Sequence, residues 1–254
     1  MDGLESPIID LDAWLALSAG QYVLAQERVL FDAMTADIFG YHALQIGMPQ
    51  IDALAASRMP RRWLSNTALC AEPGKSARPI VVSHDFTELP FDAHSMDLVV
   101  LPHVLEFASE PHQILREVER ILIPEGRLII SGFNQASMWG ARQLAARLGA
   151  PAYLPREGEF ISAKRLKDWL KLLNMEVGRI DFRCYAPPCR SDKWLQRYHF
   201  MEAAGQKWWP YFGAVYMMQA VKRVRGMHLI GPAVKRRRPV RGNAVAVVNK
   251  SGPD

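Results

Sequence analysis

Three short polar segments each follow a run of apolar residues that is typical of a buried strand. They are Ser83-His84-Asp85, Pro102-His103 and Ser131-Gly132. In doubly wound α/β sheets, ligands bind beyond the carboxyl ends of the strands. A carboxylate there can accept hydrogen bonds, and a histidine, with an ordinary pKa of about 6.5, can act as a base or orient a substrate. The sequence therefore predicts a ligand site at this edge of the sheet.

The elements that must position these segments alternate along the chain. Apolar runs predict strands at 41–47, 62–64, 80–82, 96–101, 128–130, 177–182 and 215–220. Helical spacing predicts two helices within 11–38 and further helices at 51–57, 111–122, 139–148 and 163–173, the last with Ser162 as its N-cap. Such alternation favours an α/β fold with a mostly parallel sheet covered by helices on both faces.

Composition excludes several classes of protein. The chain has 254 residues, of which 49% are hydrophobic and 22% charged, as is ordinary for a globular protein. It lacks an apolar run of the roughly 18–20 residues that a membrane span requires, and its first residues lack the pattern of a signal peptide. The three cysteines fit a reducing compartment, and no second cysteine pair completes a zinc site. We therefore expect a cytoplasmic protein without a metal site.

The positive charge is concentrated at the carboxyl terminus. Residues 219–254 hold nine lysines and arginines and one acid, so the charge of this segment is +8. The net charge of the whole chain is +5, so the charges of residues 1–218 sum to −3. Such a tail could attract the phosphates of nucleic acid through counterion release, whereas the simpler interpretation is a solvated charge run. We favour the simpler interpretation and expect residues 226–254 to be loosely ordered.

Several sequence blocks together resemble a known family. They are DFTELPF at 85–91, SMDLVV at 95–100, HVLEF at 103–107 and LIPEGRLII at 122–130. Their order and spacing resemble the class I methyltransferases that use S-adenosylmethionine, most closely the type 11 group and a proteobacterial subgroup of it. The resemblance extends over roughly residues 20–222. It implies a seven-stranded, Rossmann-like sheet whose last strand is antiparallel, with the methyl donor lying across the carboxyl ends of the first four strands.

The resemblance also implies which residues meet the methionine part of the donor. In the family the first strand ends in an acid followed by a glycine-rich turn. This chain has Gln45 in place of the acid, Gly47 at the first glycine, and Pro49 and Ile51 at the later two. The donor would lie over Gly47 and Met48. The alternative is a glycine that only ends the strand and packs.

The adenine and the reacting methyl are assigned in the same way. The resemblance implies that Asp85 accepts a hydrogen bond from the adenine amino group and that Phe86 lies beside the base. Leu101, Pro102 and His103 would border the reacting methyl, with His103 as the candidate catalytic residue. From the residues alone, Asp85 could instead cap a turn, and His103 could simply begin a helix.

Two other acids have structural interpretations. Asp97 directly precedes an apolar run and is expected to be a turn or structural residue, and Glu106 could be an exposed helix acid. No acid stands at the end of the second strand, where the family binds the ribose.

An aromatic-rich insert separates the last two predicted strands, near residues 187–213. Its rings could line an acceptor pocket, since they offer apolar walls and cation–π faces, or they could form a satellite core under a long loop. The aromatic residues concerned are Trp194, Tyr198, Phe200, Trp208, Trp209, Tyr211 and Phe212.

These observations predict N-terminal helices over 1–40, a methyltransferase domain over 41–225 and the tail. The expected function is methyl transfer from S-adenosylmethionine to an acceptor that the sequence does not specify. The alternative is an inactive domain of the same fold that acts as an interaction module, associated with nucleic acid through its tail. An NAD-dependent oxidoreductase is disfavoured because no GxGxxG follows the first strand.

Overall fold

The computed structural model describes residues 11–66, 82–83, 86–146, 148–149, 152–155, 158–189 and 191–223. Contacts divide the chain after Val224. The predicted basic tail, 226–254, and the predicted adenine-binding residue Asp85 both lie outside the described residues. The proposed division of the chain into helices, domain and tail therefore stays a prediction.

The described elements follow the predicted alternation of helices and strands. The helices are α1 (Leu11–Leu15), α2 (Ser18–Thr35), α3 (Val104–Phe107), α4 (Pro111–Ile121), α5 (Met138–Ala146), α6 (Ala163–Leu172), α7 (Asp192–Arg197) and α8 (Phe200–Trp208), with a 3₁₀ turn at Pro210–Phe212. The strands are β1 (His42–Ile46), β2 (Arg61–Asn66), β3 (Val82–Ser83), β4 (Met96–Pro102), β5 (Leu122–Phe133), β6 (Met175–Arg183) and β7 (Val215–Lys222).

The strands form one sheet in the order β3-β2-β1-β4-β5-β7-β6. Strands β3, β2, β1, β4 and β5 are parallel neighbours, whereas β7 runs antiparallel to both β5 and β6. The predicted fold class is confirmed, including the antiparallel last strand. Because β1 and β4 are neighbours, the segments that follow them meet at one edge of the sheet.

Each face of the sheet has its own apolar core. On one face, Trp14 of α1 and Phe31 of α2 pack against Ala43 and Val100 of the sheet. On the other face, the apolar stripe of α4 and residues of α6 pack against alternate residues of the same strands, including Leu44 and Val99. Side chains alternate between the two faces of a strand, so continuous apolar runs such as that of β4 are buried on both. Among the described residues, no helix is long and apolar enough to cross a membrane.

Strand β5 is longer than its predicted apolar run, 128–130. Leu122 pairs with Met96, and Arg127 then pairs with Leu98, so the register shifts between these two pairs. Glu125 adopts a φ of +64° within the irregular part. Residues 124–126 therefore form an irregularity inside the strand rather than a separate connection.

The predicted helix at 51–57 is wrong. Residues 47–60, which the structure describes in full, connect β1 to β2 through turns, with no helix. The buried side chain of Gln45 stabilises this connection. Its Nε2 donates to the carbonyl oxygens of Gly47 (3.2 Å), Met48 (3.1 Å) and Ile51 (2.9 Å), and its Oε1 accepts from the backbone N–H of Ala53 (3.0 Å). An amide supplies both donors and an acceptor, so this one side chain satisfies four backbone groups of the connection in its non-helical form.

Replacing Gln45 by Glu should therefore destabilise the chain by about 3 kcal/mol or more, because a carboxylate would face three carbonyl oxygens without water. The measurement is urea unfolding followed by circular dichroism. Gln206→Glu makes the same chemical change at an exposed position of α8 and should alter the free energy of unfolding by only about 0.5 kcal/mol. Equal effects of the two substitutions would contradict this account of the connection.

Candidate functional site

Gly47 directly follows β1 and has a conformation that favours glycine. Its φ is +73°, and its N–H donates to the carbonyl oxygen of Ser65 at the end of β2 (2.7 Å). A Cβ at this position would lie 2.7 Å from Cγ2 of Val104 and 3.8 Å from the ring of Phe86. The structure thus brings Gly47 and Phe86 together, and it leaves bare backbone at the end of β1.

The next residue, Met48, also has a positive φ, +48°, although it is not a glycine. Its side chain is buried and belongs to the apolar core on the α2 side of the sheet, together with Ile51 and Leu54. Residues after the predicted glycine turn therefore fill the space beneath the connection instead of facing solvent.

The end of β4 is fully enclosed. Leu101 and Pro102 are buried, and His103 follows them in a left-handed conformation with a φ of +51°. The N–H of His103 donates to the carbonyl oxygen of Ser131 on β5 (3.2 Å), and α3 begins at the next residue, Val104. His103 therefore turns the chain from strand to helix at the edge where β1, β4 and β5 end.

Both ring nitrogens of His103 contact carboxylates. Nε2 lies 2.9 Å from Oε1 of Glu27 on α2, and Nδ1 lies 2.8 Å from Oε2 of Glu106 on α3. Oε1 of Glu106 also accepts from the backbone N–H of Phe133, the last residue of β5. All three side chains are at most 2% exposed. We refer to Glu27, His103 and Glu106 as the buried triad.

The charges of the triad fix its protonation. Burial alone would lower the pKa of His103, but the charge of Glu27 and the hydrogen bonds to both carboxylates outweigh it and raise the pKa to about 10. For Glu106, burial raises the pKa, and the hydrogen bonds and charge of His103 only partly oppose this. His103 is therefore an imidazolium at neutral pH, with both protons held by carboxylates and no lone pair free to take another.

A second glycine is required beside the triad. A Cβ on Gly132 of β5 would lie 2.7 Å from Oη of Tyr216 and 3.1 Å from Oε1 of Glu106. Glycine at this position lets β7, which carries Tyr216, approach the carboxylate closely. Next to it, Oγ of Ser131 is buried and has no hydrogen-bond partner among the described residues.

The structure tests some sequence-based expectations for individual acids. The interpretation of Glu106 as an exposed helix acid is wrong, because it is buried and hydrogen-bonded within the triad. The structural interpretation of Asp97 is confirmed, since its Oδ2 accepts from the backbone N–H groups of Tyr41 (3.0 Å) and His42 (2.9 Å). The ligand-binding roles of Gly47, Met48, Asp85, Phe86, Leu101 and Pro102, and the catalytic role of His103, stay predictions.

Sequence reasoning missed Glu27. It lies among the apolar residues that α2 buries, between Leu24 and Leu30, where a charged side chain is out of place. Because a buried charge requires a partner, an acid on the apolar face of a predicted helix is the signal that could have revealed it. The sequence distance of 76 residues to His103 hid the identity of that partner.

The aromatic insert does not form a satellite core. Six of its rings are between 41% and 73% exposed: Trp194, Phe200, Trp208, Trp209, Tyr211 and Phe212. A separate pocket of about 470 Å³ opens beyond the carboxyl end of β5, lined mostly by residues 135–144 and by Phe160. Phe160 contacts Phe133 edge-on (5.4 Å between ring centroids), and Phe133 contacts the ring of His103 (4.3 Å).

Comparisons with known proteins agree with this fold. Residues 63–130 match the family model for the type 11 methyltransferase domain. YafS, an uncharacterized protein of Escherichia coli, is 35% identical over 171 residues, which cover 67% of each chain.

Solved structures of the same fold include two methyltransferases. One is a chain from the complex between the Haloferax volcanii Trm112 methyltransferase activator and a methyltransferase, with a TM-score of 0.57, 18% identity, and coverage of 85% of this chain and 98% of that chain. The other is a methyltransferase of Thermotoga maritima described as a possible histamine N-methyltransferase. Its TM-score is 0.57 and its identity 14%, and the match covers 80% of this chain and 93% of that chain.

The chain belongs to the class I S-adenosylmethionine-dependent methyltransferases. The family match indicates S-adenosylmethionine as the cofactor. The buried triad occupies the turn after β4 at the edge of the sheet where ligands of such folds bind.

The raised pKa of His103 makes the stability of the triad depend on pH. The pKa of His103 is about 10 in the folded chain and near 6.5 in the unfolded chain, so its stabilising contribution is complete below about pH 6.5 and is lost as the pH rises through about 10. The difference in free energy of unfolding between the wild type and His103→Gln should therefore shrink by several kcal/mol between about pH 7 and pH 10. Each unit by which folding raises the pKa corresponds to about 1.4 kcal/mol of this difference.

Urea unfolding at a series of pH values measures this difference. Glu106 acts in the same direction, because burial raises its pKa as well. Buried tyrosines and Cys184 titrate in both proteins and cancel in the difference. His199→Gln makes the same substitution at an exposed histidine outside the triad and serves as the matched control. A pH-independent difference for His103→Gln would show that this histidine is neutral in the folded chain.

Proposed function

We propose that this chain transfers the methyl group of S-adenosylmethionine to an acceptor with a nucleophilic nitrogen, oxygen or sulfur atom. The observation that carries the proposal is the bare backbone at Gly47, held between the ends of β1 and β2 beside Phe86 and Val104. A side chain at position 47 would collide with Val104, so glycine is required there, and its backbone carries no side chain that would keep a ligand away.

The proposed donor site combines this turn with the neighbouring strand ends. The backbone of Gly47 and Met48 would meet the methionine part, and Phe86, half-buried next to Gly47, would lie beside the adenine. Asp85 precedes Phe86 in the chain and is proposed to accept a hydrogen bond from the amino group of the adenine. Leu101, Pro102 and His103, at the end of β4, would border the reacting methyl.

When bound, S-adenosylmethionine supplies a methyl group on a positively charged sulfur that is ready for displacement. What the chain must supply is alignment, because an in-line displacement depends on holding the two reactants in register. His103 cannot serve as a base while both its protons are held by Glu27 and Glu106. We therefore assign His103 a positioning role: with the carboxylates it fixes the turn between β4 and α3.

A second candidate function is a domain of this fold that does not bind the donor and acts as an interaction module. One observation favours it. The connection after β1 has a single glycine, and Met48, Ile51 and Leu54 fill the space beneath it with apolar side chains. A fold alone does not establish a reaction, so donor binding must be measured.

Calorimetric titration with S-adenosylmethionine and S-adenosylhomocysteine separates the two functions. The wild type should bind both ligands saturably. Asp85→Ala should weaken binding by about ten- to one-hundredfold, as expected from the loss of one hydrogen bond to a charged group of about 1.5–3 kcal/mol. Glu88→Ala removes an exposed acid three residues away and should leave the affinity unchanged.

At about 1 mM ligand, even a site with a binding free energy of only roughly −4 kcal/mol is half filled. If folded protein shows no binding at this concentration, the interaction module is favoured. Equal weakening by Asp85→Ala and Glu88→Ala would contradict the assigned adenine contact while leaving donor binding itself established.

A further inference from the structure

Helix α8 has an inverted distribution of polar and apolar residues. It buries Glu202 and Gly205 and exposes Phe200 and Trp208, which are 66% and 73% accessible to solvent. A helix at the surface of a globular protein normally turns its apolar residues inward and its charged residues outward. Folding stability therefore does not account for the rings on the outer side of this helix.

The buried Glu202 shows that α8 is held in this orientation by specific bonds. Its Oε1 accepts from the backbone N–H of Tyr185 (2.8 Å) and its Oε2 from that of Cys184 (3.3 Å). Oη of Tyr22 on α2 donates to the same carboxylate. A buried carboxylate with this many donors is stable only in this arrangement, so the outward position of the rings is fixed by the fold.

The exposed rings form an aromatic patch, which we define as Trp194, Phe200, Trp208, Trp209, Tyr211 and Phe212. Along the chain they fall into two groups, one toward each end of α8, a helix about 12 Å long. Elsewhere in the described part of the chain, only Phe39 and Tyr41 are comparably exposed aromatic residues. Exposed apolar clusters of this kind mark a surface that binds a partner.

The patch is rigid rather than a loose loop. Nδ2 of Asn134 donates to the carbonyl oxygens of Tyr211 (2.8 Å) and Gly213 (2.9 Å), and Oη of Tyr185 donates to that of Pro210 (2.7 Å). Asn134 directly follows β5, so the patch is fastened to the same edge of the sheet as the buried triad. Rings that are already ordered lose little conformational entropy on binding.

Positive charge surrounds the patch. Over residues 191–213 the exposed charged side chains are Lys193, Arg197 and Lys207 against one acid, Asp192. The guanidinium of Arg197 lies 5.8 Å from the centre of the Trp194 ring. Tryptophan and tyrosine beside lysine and arginine are typical of segments that lie at a bilayer surface, whereas the cores of protein interfaces are depleted in lysine.

We propose that the aromatic patch docks the chain on an anionic lipid surface. The rings enter the boundary between headgroups and acyl chains, and Lys193, Arg197 and Lys207 meet the lipid phosphates. The segment lies on the bilayer and does not cross it. Because the patch is fastened beyond the carboxyl end of β5, docking turns the edge of the sheet that carries the candidate donor site toward the lipid. The docking does not depend on methyl transfer.

Sedimentation of the full-length chain with vesicles tests the proposal. The vesicles contain phosphatidylcholine with or without about one quarter phosphatidylglycerol, so that anionic charge is the only difference. The wild type should bind the anionic vesicles. Phe200→Ser with Trp208→Ser should lower the partition coefficient about tenfold or more, because two rings lose their burial in lipid.

A matched control removes the other two exposed aromatic residues. Phe39→Ser with Tyr41→Ser changes rings that are 78% and 72% exposed and lie next to β1, away from α8, and it should bind as the wild type does. Lys193→Gln with Lys207→Gln should weaken binding to the anionic vesicles, and circular dichroism establishes that every variant is folded.

Three results would overturn the proposal. The first is absence of binding to anionic vesicles at low salt. The second is equal binding by the wild type and the Phe200/Trp208 variant, because the attraction would then come from another part of the chain, such as the basic tail. Light scattering provides the third. A concentration-dependent dimer of the wild type that the same variant abolishes would show that the patch joins protein to protein.

Discussion

The ion pairs of His103 with Glu27 and Glu106 are the constraint on which the edge of the sheet depends. One imidazolium joins helix α2, the end of β4 and helix α3, and the backbone N–H of Phe133 adds the end of β5. Burying charges is costly unless each is paired, and removing one partner of such a pair costs about 3–5 kcal/mol. The two carboxylates hold both ring nitrogens of His103, so this pairing fixes how α2, β4 and α3 are arranged. Every residue proposed to border the reacting methyl is held in place by it.

This constraint makes the N-terminal helix part of the site. Helix α2 supplies Glu27 to the triad and Tyr22 to the carboxylate of Glu202 on α8. One helix thus connects the candidate donor site to the aromatic insert. Gly132 allows Tyr216 of β7 to approach Glu106. Strand β7 follows the aromatic insert in the chain, so the insert is connected to the buried triad through this strand as well. The proposed methyl-transfer site and the proposed lipid-binding surface depend on shared supports.

Local patterns were sufficient to predict most of the fold but not the chemistry of its edge. The apolar run of β4 and the amphipathic stripe of α4 predicted their elements to within a residue, because one buried surface determines each pattern. The prediction of a helix at 51–57 was wrong, and the connection is instead held by the side chain of Gln45, which lies outside that window and bonds the backbone of Ile51 and Ala53. The importance of His103 was visible in the sequence, whereas its partners were not, because ion pairs across long sequence distances leave no periodic signal.

The charge of His103 is the central claim, and nitrogen NMR of histidine-labelled protein measures it directly. At about pH 8, where an ordinary histidine is neutral, His103 should show both ring nitrogens protonated. Its signals are assigned by their absence from the spectrum of His103→Gln. A neutral ring with one unprotonated nitrogen at this pH would contradict the account and would restore His103 as a candidate base.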